Sequence, residues 1–408
     1  WAWMVVCTMA ITGKADQGFI RKRNASLVLN ELRLSAPLSR ADLAKRIGLN
    51  RSTISSIVAQ LLEEQLVHET ELQTDKIGRP GLSLELNPSG GCMIGVEVGV
   101  GISKVILTDF LAGNIWKGRL ELPLEEPIDG YLHAAGRLVE HALREAAKQQ
   151  RRVLGIGISV PGLVDVTEGV LRISPNFRGQ EIPIVGPWRK RFGLPVIVEN
   201  DANAAALGEH YFGVAKDAPN FLYLGAAAGI GGGIIIDGKI FRGRGGYAGE
   251  VGHMTMDPEG DMCNCGKRGC WETLIGPRAV VERYRRSVAA GSASPLSKNL
   301  EGVTFGAIVE AAEIGDLAAV SVLQEVGHDL GLGIANLVNV FNPQLVILGG
   351  VLSLAHETLI PMIRETVKQN SLYPMRAALS ILPSEYGTED CLMGAVSLIL
   401  DDLMRAPV

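Results

Sequence analysis

The chain is poor in cysteine, in net charge and in apolar runs of membrane-spanning length, and each shortage removes a class of function. Six cysteines are spread over 408 residues. Three of them, Cys7, Cys92 and Cys391, stand far apart, as in a reducing cytoplasm and unlike a disulfide-built secreted fold. The net charge of -5 argues against nucleic-acid binding as a property of the whole surface but leaves room for a local basic face. The apolar opening WAWMVVCTMAIT has no basic residue ahead of it and is too short to span a bilayer, so neither a signal peptide nor membrane insertion is expected. We read residues 1–20 as a tail, or an upstream extension of the reading frame, without a fold of its own.

What is present describes a glycine-rich α/β protein. Hydrophobic residues make up 47% and charged residues 20%, with 49 glycines, a composition that is neither disordered nor fibrous. At this length one core is not enough, and two or three domains are expected. Chemistry concentrates in GEVGHMTMDPEGDMCNCGKRGCWE, residues 249–272. His253, Cys263, Cys265 and Cys270 supply one imidazole and three thiols within a single loop, a Cys3His set suited to tetrahedral zinc. Gly266 and Gly269 let the backbone turn tightly enough for the sulfurs to converge. With all four places filled by protein no position stays open for water, so one structural zinc per chain is expected. The alternative is a surface loop of unpaired or disulfide-linked cysteines.

The local basic face lies at 21–51, where Arg21, Lys22, Arg23, Arg33, Arg40, Lys45, Arg46 and Arg51 face only Glu31 and Asp42. A first helix fits 24–34, with Leu27, Val28 and Leu32 on one face. Ser39 followed by Asp42 has the capping-box pattern of a second helix ending near Gly48. Asn50 caps a third, in which Ile54, Ile57, Val58, Leu61 and Leu62 form an apolar stripe. Arg51, Ser52 and Ser56 sit at its start, as suits a helix entering a major groove while cations hold phosphates. Alternating segments at 66–72 and 82–86 flank Gly78, Arg79 and Pro80, a basic wing tip able to reach a minor groove. A helical protein-interaction module is the alternative.

Together, SRADLAKRIGLNRSTISSIVAQLLEEQLV, GRPGLSLELNP and the cysteine loop resemble the ROK family (repressors, open reading frames and sugar kinases), from about residue 21 to the C-terminus. The resemblance implies a winged helix-turn-helix at 21–87 and a two-lobed, actin-like (ribonuclease H-like) α/β body. Lobe 1 would comprise 88–201 plus 388–408, and lobe 2, with the zinc loop, 202–387. Asn200 and Asp201 match the family's END element and Glu250 and His253 its E-x-G-H element, while Glu272 ends C-x-C-G-x-x-G-C-x-E. With Asn176 they are the expected sugar contacts, and Asp201 would be the general base of a kinase. Taken alone, Asp201 could equally be a helix cap. The kinase phosphate motifs D-x-G-G-T-K and G-T-G-x-G-G-G stand here as Glu97-Val98-Gly99-Val100-Gly101-Ile102 and Ala227-Ala228-Gly229-Ile230-Gly231-Gly232-Gly233. Missing charge-assisted bonds of about 1.5 to 3 kcal/mol each weaken nucleotide binding. The expectation is a cytoplasmic, non-enzymatic repressor, a homodimer or higher homo-oligomer. It would bind operator DNA under control of a monosaccharide, xylose or glucose, with room for a protein co-inducer. A sugar kinase with an appended DNA-binding domain is the alternative.

Overall fold

A computed structural model describes residues 17–71, 82–177 and 179–405. They form two compact units, Trp1–Gly90 with Asp402–Val408, and Gly91–Asp401. The wing tip Gly78, Arg79 and Pro80 lies outside the described residues.

In the first unit, helix α1 (Gln17–Ser35) is followed by α2 (Arg40–Ile47), α3 (Arg51–Glu63), β1 (Val67–Glu71) and β2 (Leu82–Leu86). Helix α1 begins within the stretch expected to be a tail. Its buried stripe is Val28, Leu29 and Leu32, whereas Leu27 is exposed, because the packing face is centred one residue further on. Helix α2 is bounded as its sequence dictates. The Ser39 side chain accepts from Asp42 N, Asp42 reaches back to the Ser39 amide, and Gly48 closes the helix in the left-handed region at φ 76°, each cap contributing on the order of 1 kcal/mol. Asn50 accepts from Thr53 N to start α3. Ile54, Ile57, Val58 and Leu61 of α3 are buried, and β1 and β2 pair antiparallel with Val67 opposite Leu86.

The second unit repeats one architecture. Strands β3 (Cys92–Gly99), β4 (Ile102–Asp109) and β5 (Asn114–Glu121) lead to helix α4 (Ile128–Lys148) and strand β6 (Val153–Val160). A three-stranded meander of β7 (Leu163–Asp165), β8 (Val170–Ser174) and β9 (Gly179–Pro183) precedes helix α5 (Val185–Phe192), strand β10 (Val196–Asn200) and helix α6 (Asp201–Tyr211). Then follow β11 (Phe221–Ala226), β12 (Ile230–Ile236), β13 (Lys239–Ile240), α7 (Glu272–Ile275), α8 (Pro277–Ala289), α9 (Phe305–Glu313), α10 (Leu317–Phe341), β14 (Leu345–Gly350), α11 (His356–Asn370), β15 (Ser380–Pro383) and α12 (Asp390–Met404).

The two large sheets run β10-β6-β3-β4-β5 and β13-β12-β11-β14-β15. In each, three consecutive strands form an antiparallel meander and two later strands add in parallel beside the first. Central strands buried on both faces, such as β14, read as unbroken apolar runs. Each sheet has its own core, one around Tyr131, Ile156 and Trp188 with α4 and α5, the other around Trp271, Tyr284 and Ile334 with α8 to α11.

Candidate sugar and metal site

The C-terminal ends of β6 and β10, the first turn of β3–β4 and the glycine-rich start of β12 converge on one cavity of about 520 Å³. That position, outside the carboxyl ends of parallel strands, is where open α/β sheets bind ligands. Asn176, Asn200, Asp201, Glu250, His253 and Glu272 all line it.

Asn200 ends β10 and caps α6. Its Oδ1 accepts from Ala202 N and Asn203 N, at 3.0 and 3.1 Å, and its Nδ2 donates to Gly162 O at 3.1 Å. The capping role open to Asp201 thus falls to its neighbour. One Asp201 oxygen accepts from Ala202 N at 2.9 Å, and the carboxylate lines the cavity. Burial pushes its pKa up to about 6, with the Ala202 amide opposing and Glu250 and Asp390 adding to the rise. Burial likewise raises Glu250, which His253 lowers and Glu272 raises further. Asn176 lies in the turn after β8, on the rim.

Glu250 is delivered by a loop that only glycine can close. At Gly249, φ is 103° and a Cβ would stand 2.2 Å from Gly232 O, while Gly249 O accepts from Gly232 N at 3.1 Å. Further along, Gly269 has φ 65°, and a Cβ there would be 1.4 Å from Asp257 O. Met256 N donates to Gly269 O at 2.8 Å and Trp271 N to Met254 O at 2.8 Å, and the buried Trp271 indole donates to Asp329 O on α10 at 3.0 Å. The cysteine loop is thereby fixed to the core of the second sheet.

Within it, the ligand atoms of His253, Cys263, Cys265 and Cys270 lie within 4.8 Å of one another, a group that could hold a metal ion. Cys263 Sγ is 3.7 Å from His253 Nδ1 and Cys265 Sγ 3.6 Å from Cys270 Sγ. No disulfide joins these cysteines. His253 Nε2 faces the other way, 3.9 Å from Glu250 Oε2. Glu272 opens α7. Its Oε2 accepts from Ile230 N at 2.8 Å, and its Oε1 is 3.7 Å from Cys263 Sγ.

The cavity is also lined by Lys104, Tyr223 and Asp390, which sequence reasoning missed. Lys104 Nζ stands 3.1 Å from both oxygens of Glu97 and donates to Thr388 O at 3.3 Å. Burial pushes Glu97 up to about 7, against the pull of Lys104. Asp390 accepts from Tyr223 Oη and from Gly350 N, the latter at 2.6 Å, and burial raises its pKa. The Lys104 contact had a local signal, because the tight β3–β4 hairpin pairs Glu97 directly with Lys104. The Tyr223–Asp390 contact, spanning 167 positions, had none.

In the first unit, Arg51, Ser52 and Ser56 are exposed at the start of α3, and Ser52 Oγ donates to Asn50 Oδ1 at 2.8 Å. Arg21 and Asn24 of α1 line one shallow groove with Ser52 and Ser56.

Comparison with known proteins matches the ROK family over residues 93–402 and the MarR family over residues 21–76. The chain belongs to the ROK family. It is 33% identical to a putative xylose repressor of Caldicellulosiruptor sp. (strain Rt8B.4), over 96% of this chain and 99% of that protein. Among solved structures it resembles a ROK family transcriptional regulator that is a homologue of the Escherichia coli MLC protein. The identity is 32%, the TM-score 0.84, and the coverage 95% of this chain and 97% of that one. The Streptomyces griseus ROK family glucokinase, solved with glucose and AMPPNP, is 31% identical with a TM-score of 0.67, covering 76% of this chain and 99% of that one. This ROK chain thus joins a MarR-like winged helix to a body that the family uses in both repressors and kinases.

Proposed function

We propose that this ROK protein is a transcriptional repressor of sugar-utilisation genes. Its first unit binds operator DNA, and a monosaccharide in the 520 Å³ cavity controls that binding. The observation that carries the reading is a contrast between two sets of groups lining one cavity. Asp201, Glu250 and Glu272 line it together with His253, groups that can each fix the direction of a sugar hydroxyl; leaving one unpaired costs about 1 to 3 kcal/mol. An internal ion pair in the same lining, Lys104 with Glu97, takes up the carboxylate that stands where the kinase motif has its aspartate. The loop at Ala227 and Ala228 offers no hydroxyl to a phosphate.

Zinc fits the Cys3His group. Tetrahedral zinc with bonds of about 2.3 Å to sulfur and 2.0 to 2.1 Å to nitrogen puts ligand atoms roughly 3.6 to 3.8 Å apart; two of the pairs stand at 3.7 and 3.6 Å, and all four atoms lie within 4.8 Å of one another. The ion would neutralise the thiolates and fix the loop that carries Glu250 and Glu272. Control of DNA requires the sugar to favour one arrangement of the body, with a coupling of roughly 1 to 3 kcal/mol. Xylose is the favoured effector, by likeness to the xylose repressor relative, and glucose the second candidate. Two α3 helices of a homodimer would meet half-sites about 34 Å apart.

Operator binding followed by fluorescence anisotropy, with and without xylose, glucose and N-acetyl sugars, tests this; a protein whose affinity no sugar alters is not the repressor described. The raised pKa of Asp201 favours a second reading, a sugar kinase with an appended DNA-binding domain, because a base poised near neutrality suits proton abstraction. Turnover in a coupled ATPase assay that disappears in Asp201→Ala would establish it.

A further inference from the structure

We propose that Glu199 and Arg242 form a latch between the two lobes that sets the positions of Asp201 and Glu250, and that sugar affinity depends on it. Resting on the sugar-site reading above, it assigns a role to two residues that are not themselves expected sugar contacts.

Glu199 is the penultimate residue of β10, in the first sheet. Arg242 follows β13, at the edge of the second. The guanidinium grips a single oxygen, Nε at 2.9 Å and Nη2 at 2.6 Å from Glu199 Oε2. The carboxylate is almost wholly buried, with its side chain 2% exposed. Its other oxygen accepts from Asn200 N at 2.9 Å and from Asn203 Nδ2 at 3.3 Å. One carboxylate therefore fixes the start of α6, where Asp201 sits, and reaches across to the second sheet.

On the arginine's side, Arg242 O accepts from Ala248 N at 3.1 Å. The loop closes on its own base, and Glu250 emerges two residues later. Rigidity thus runs from Asp201, at the start of α6, through Glu199 and Arg242 to Glu250. A buried ion pair is a poor source of net stability, but it fixes geometry well because a guanidinium fork holds its direction.

The test uses the full-length protein and calorimetric titration with xylose and glucose. Arg242→Met should weaken the binding of whichever sugar the wild type takes by at least about tenfold. Sugar-free operator affinity and metal content should stay within about twofold. Arg242→Lys, which can reach Glu199 through one point charge, should recover part of the affinity. Removing only the arginine strands a buried charge, so the double variant Glu199→Gln/Arg242→Met separates positioning from stability. It should regain the thermal stability lost in Arg242→Met while its sugar affinity stays about tenfold down. Sugar affinity that returns together with stability in the double variant overturns the latch, as does an unchanged affinity in Arg242→Met. A wild type that binds no sugar defeats the sugar-site reading itself, a different outcome from either.

Discussion

Asp201→Asn should stabilise the protein and blunt its response to sugar. A carboxyl held at about 6 against an ordinary value of 3.8 carries a penalty, at neutral pH, of roughly 2 to 3 kcal/mol, since one pH unit corresponds to about 1.4 kcal/mol. The sign follows from the direction of the shift. A raised folded-state value means that the folded protein favours the protonated form, so the penalty is absent below about 4 and complete above about 6. An asparagine keeps an oxygen for the Ala202 amide and removes the charge that Glu250, Asp390 and Glu97 all oppose. At pH 7.5 the melting temperature should rise by roughly 3 to 5 °C. The same change removes a charged acceptor for a sugar hydroxyl, which costs about 1.5 to 3 kcal/mol, a loss of about 10- to 150-fold in sugar affinity. A hydroxyl donating to Asp201 selects the ionised carboxylate, so wild-type affinity should fall as pH drops through about 6, and the variant should lack that dependence. Calorimetric titration and thermal melts between pH 5 and 8 read both effects. A variant that melts lower while binding sugar normally would show Asp201 to be a structural cap.

The Lys104–Glu97 pair makes a prediction about nucleotide: with either glucose or xylose the wild type should show no ATP turnover in a coupled assay, and ATP should not raise its melting temperature at millimolar concentration. On the DNA side, Arg51→Ala should weaken binding to all sequences alike and reduce the slope of log K against log salt by about 1, the signature of one lost phosphate contact. Ser39→Ala, which removes the side-chain half of the α2 capping box and leaves the backbone amide of residue 39 to Asp42, should destabilise the first unit by about 1 kcal/mol in denaturant titration.

What the sequence disclosed was what short stretches decide. The α2 caps and the α3 stripe rest on residues a few positions apart, and the structure has them where local chemistry puts them, with Leu62 of the stripe only half-buried. Helix α1 starts seven residues before the expected 24–34 and enters the expected tail at 17–20, because Phe19 to Arg23 holds no helix breaker and Gly18 falls at its very start. The β7–β9 meander escaped notice because its strands are three to five residues long and carry no clean alternation. The duplicated topology was illegible for another reason. It lies in which strands pair, and β3-β4-β5 and β11-β12-β13 share that order without sharing a residue pattern. Of the cavity, the carboxylates on recognisable motifs could be read, whereas the Glu199–Arg242 and Tyr223–Asp390 contacts, 43 and 167 positions apart, exist only once the sheets are placed.

The cysteine group and the cavity share atoms, and that sharing yields a test of how metal and sugar are linked. His253 turns Nδ1 to Cys263 and Nε2 to Glu250, while Glu272 spans from Cys263 Sγ to the Ile230 amide. Asp201 instead depends on β10 and α6, with Glu199 and Asn203 beside it. Disturbing the cluster should therefore act most directly through Glu250 and Glu272 and reach Asp201 only by way of Glu250. Cys265→Ser should lose the metal, read by elemental analysis as less than about half an equivalent per chain, and weaken sugar binding by about tenfold with operator affinity retained. Combined with Glu272→Gln its effect should be markedly less than additive, because both changes loosen the same connection. Combined with Asp201→Asn it should be closer to additive, because the cluster reaches Asp201 only through Glu250. Strong coupling to Asp201 and none to Glu272 would mean that the metal loop acts on the cleft by some other route.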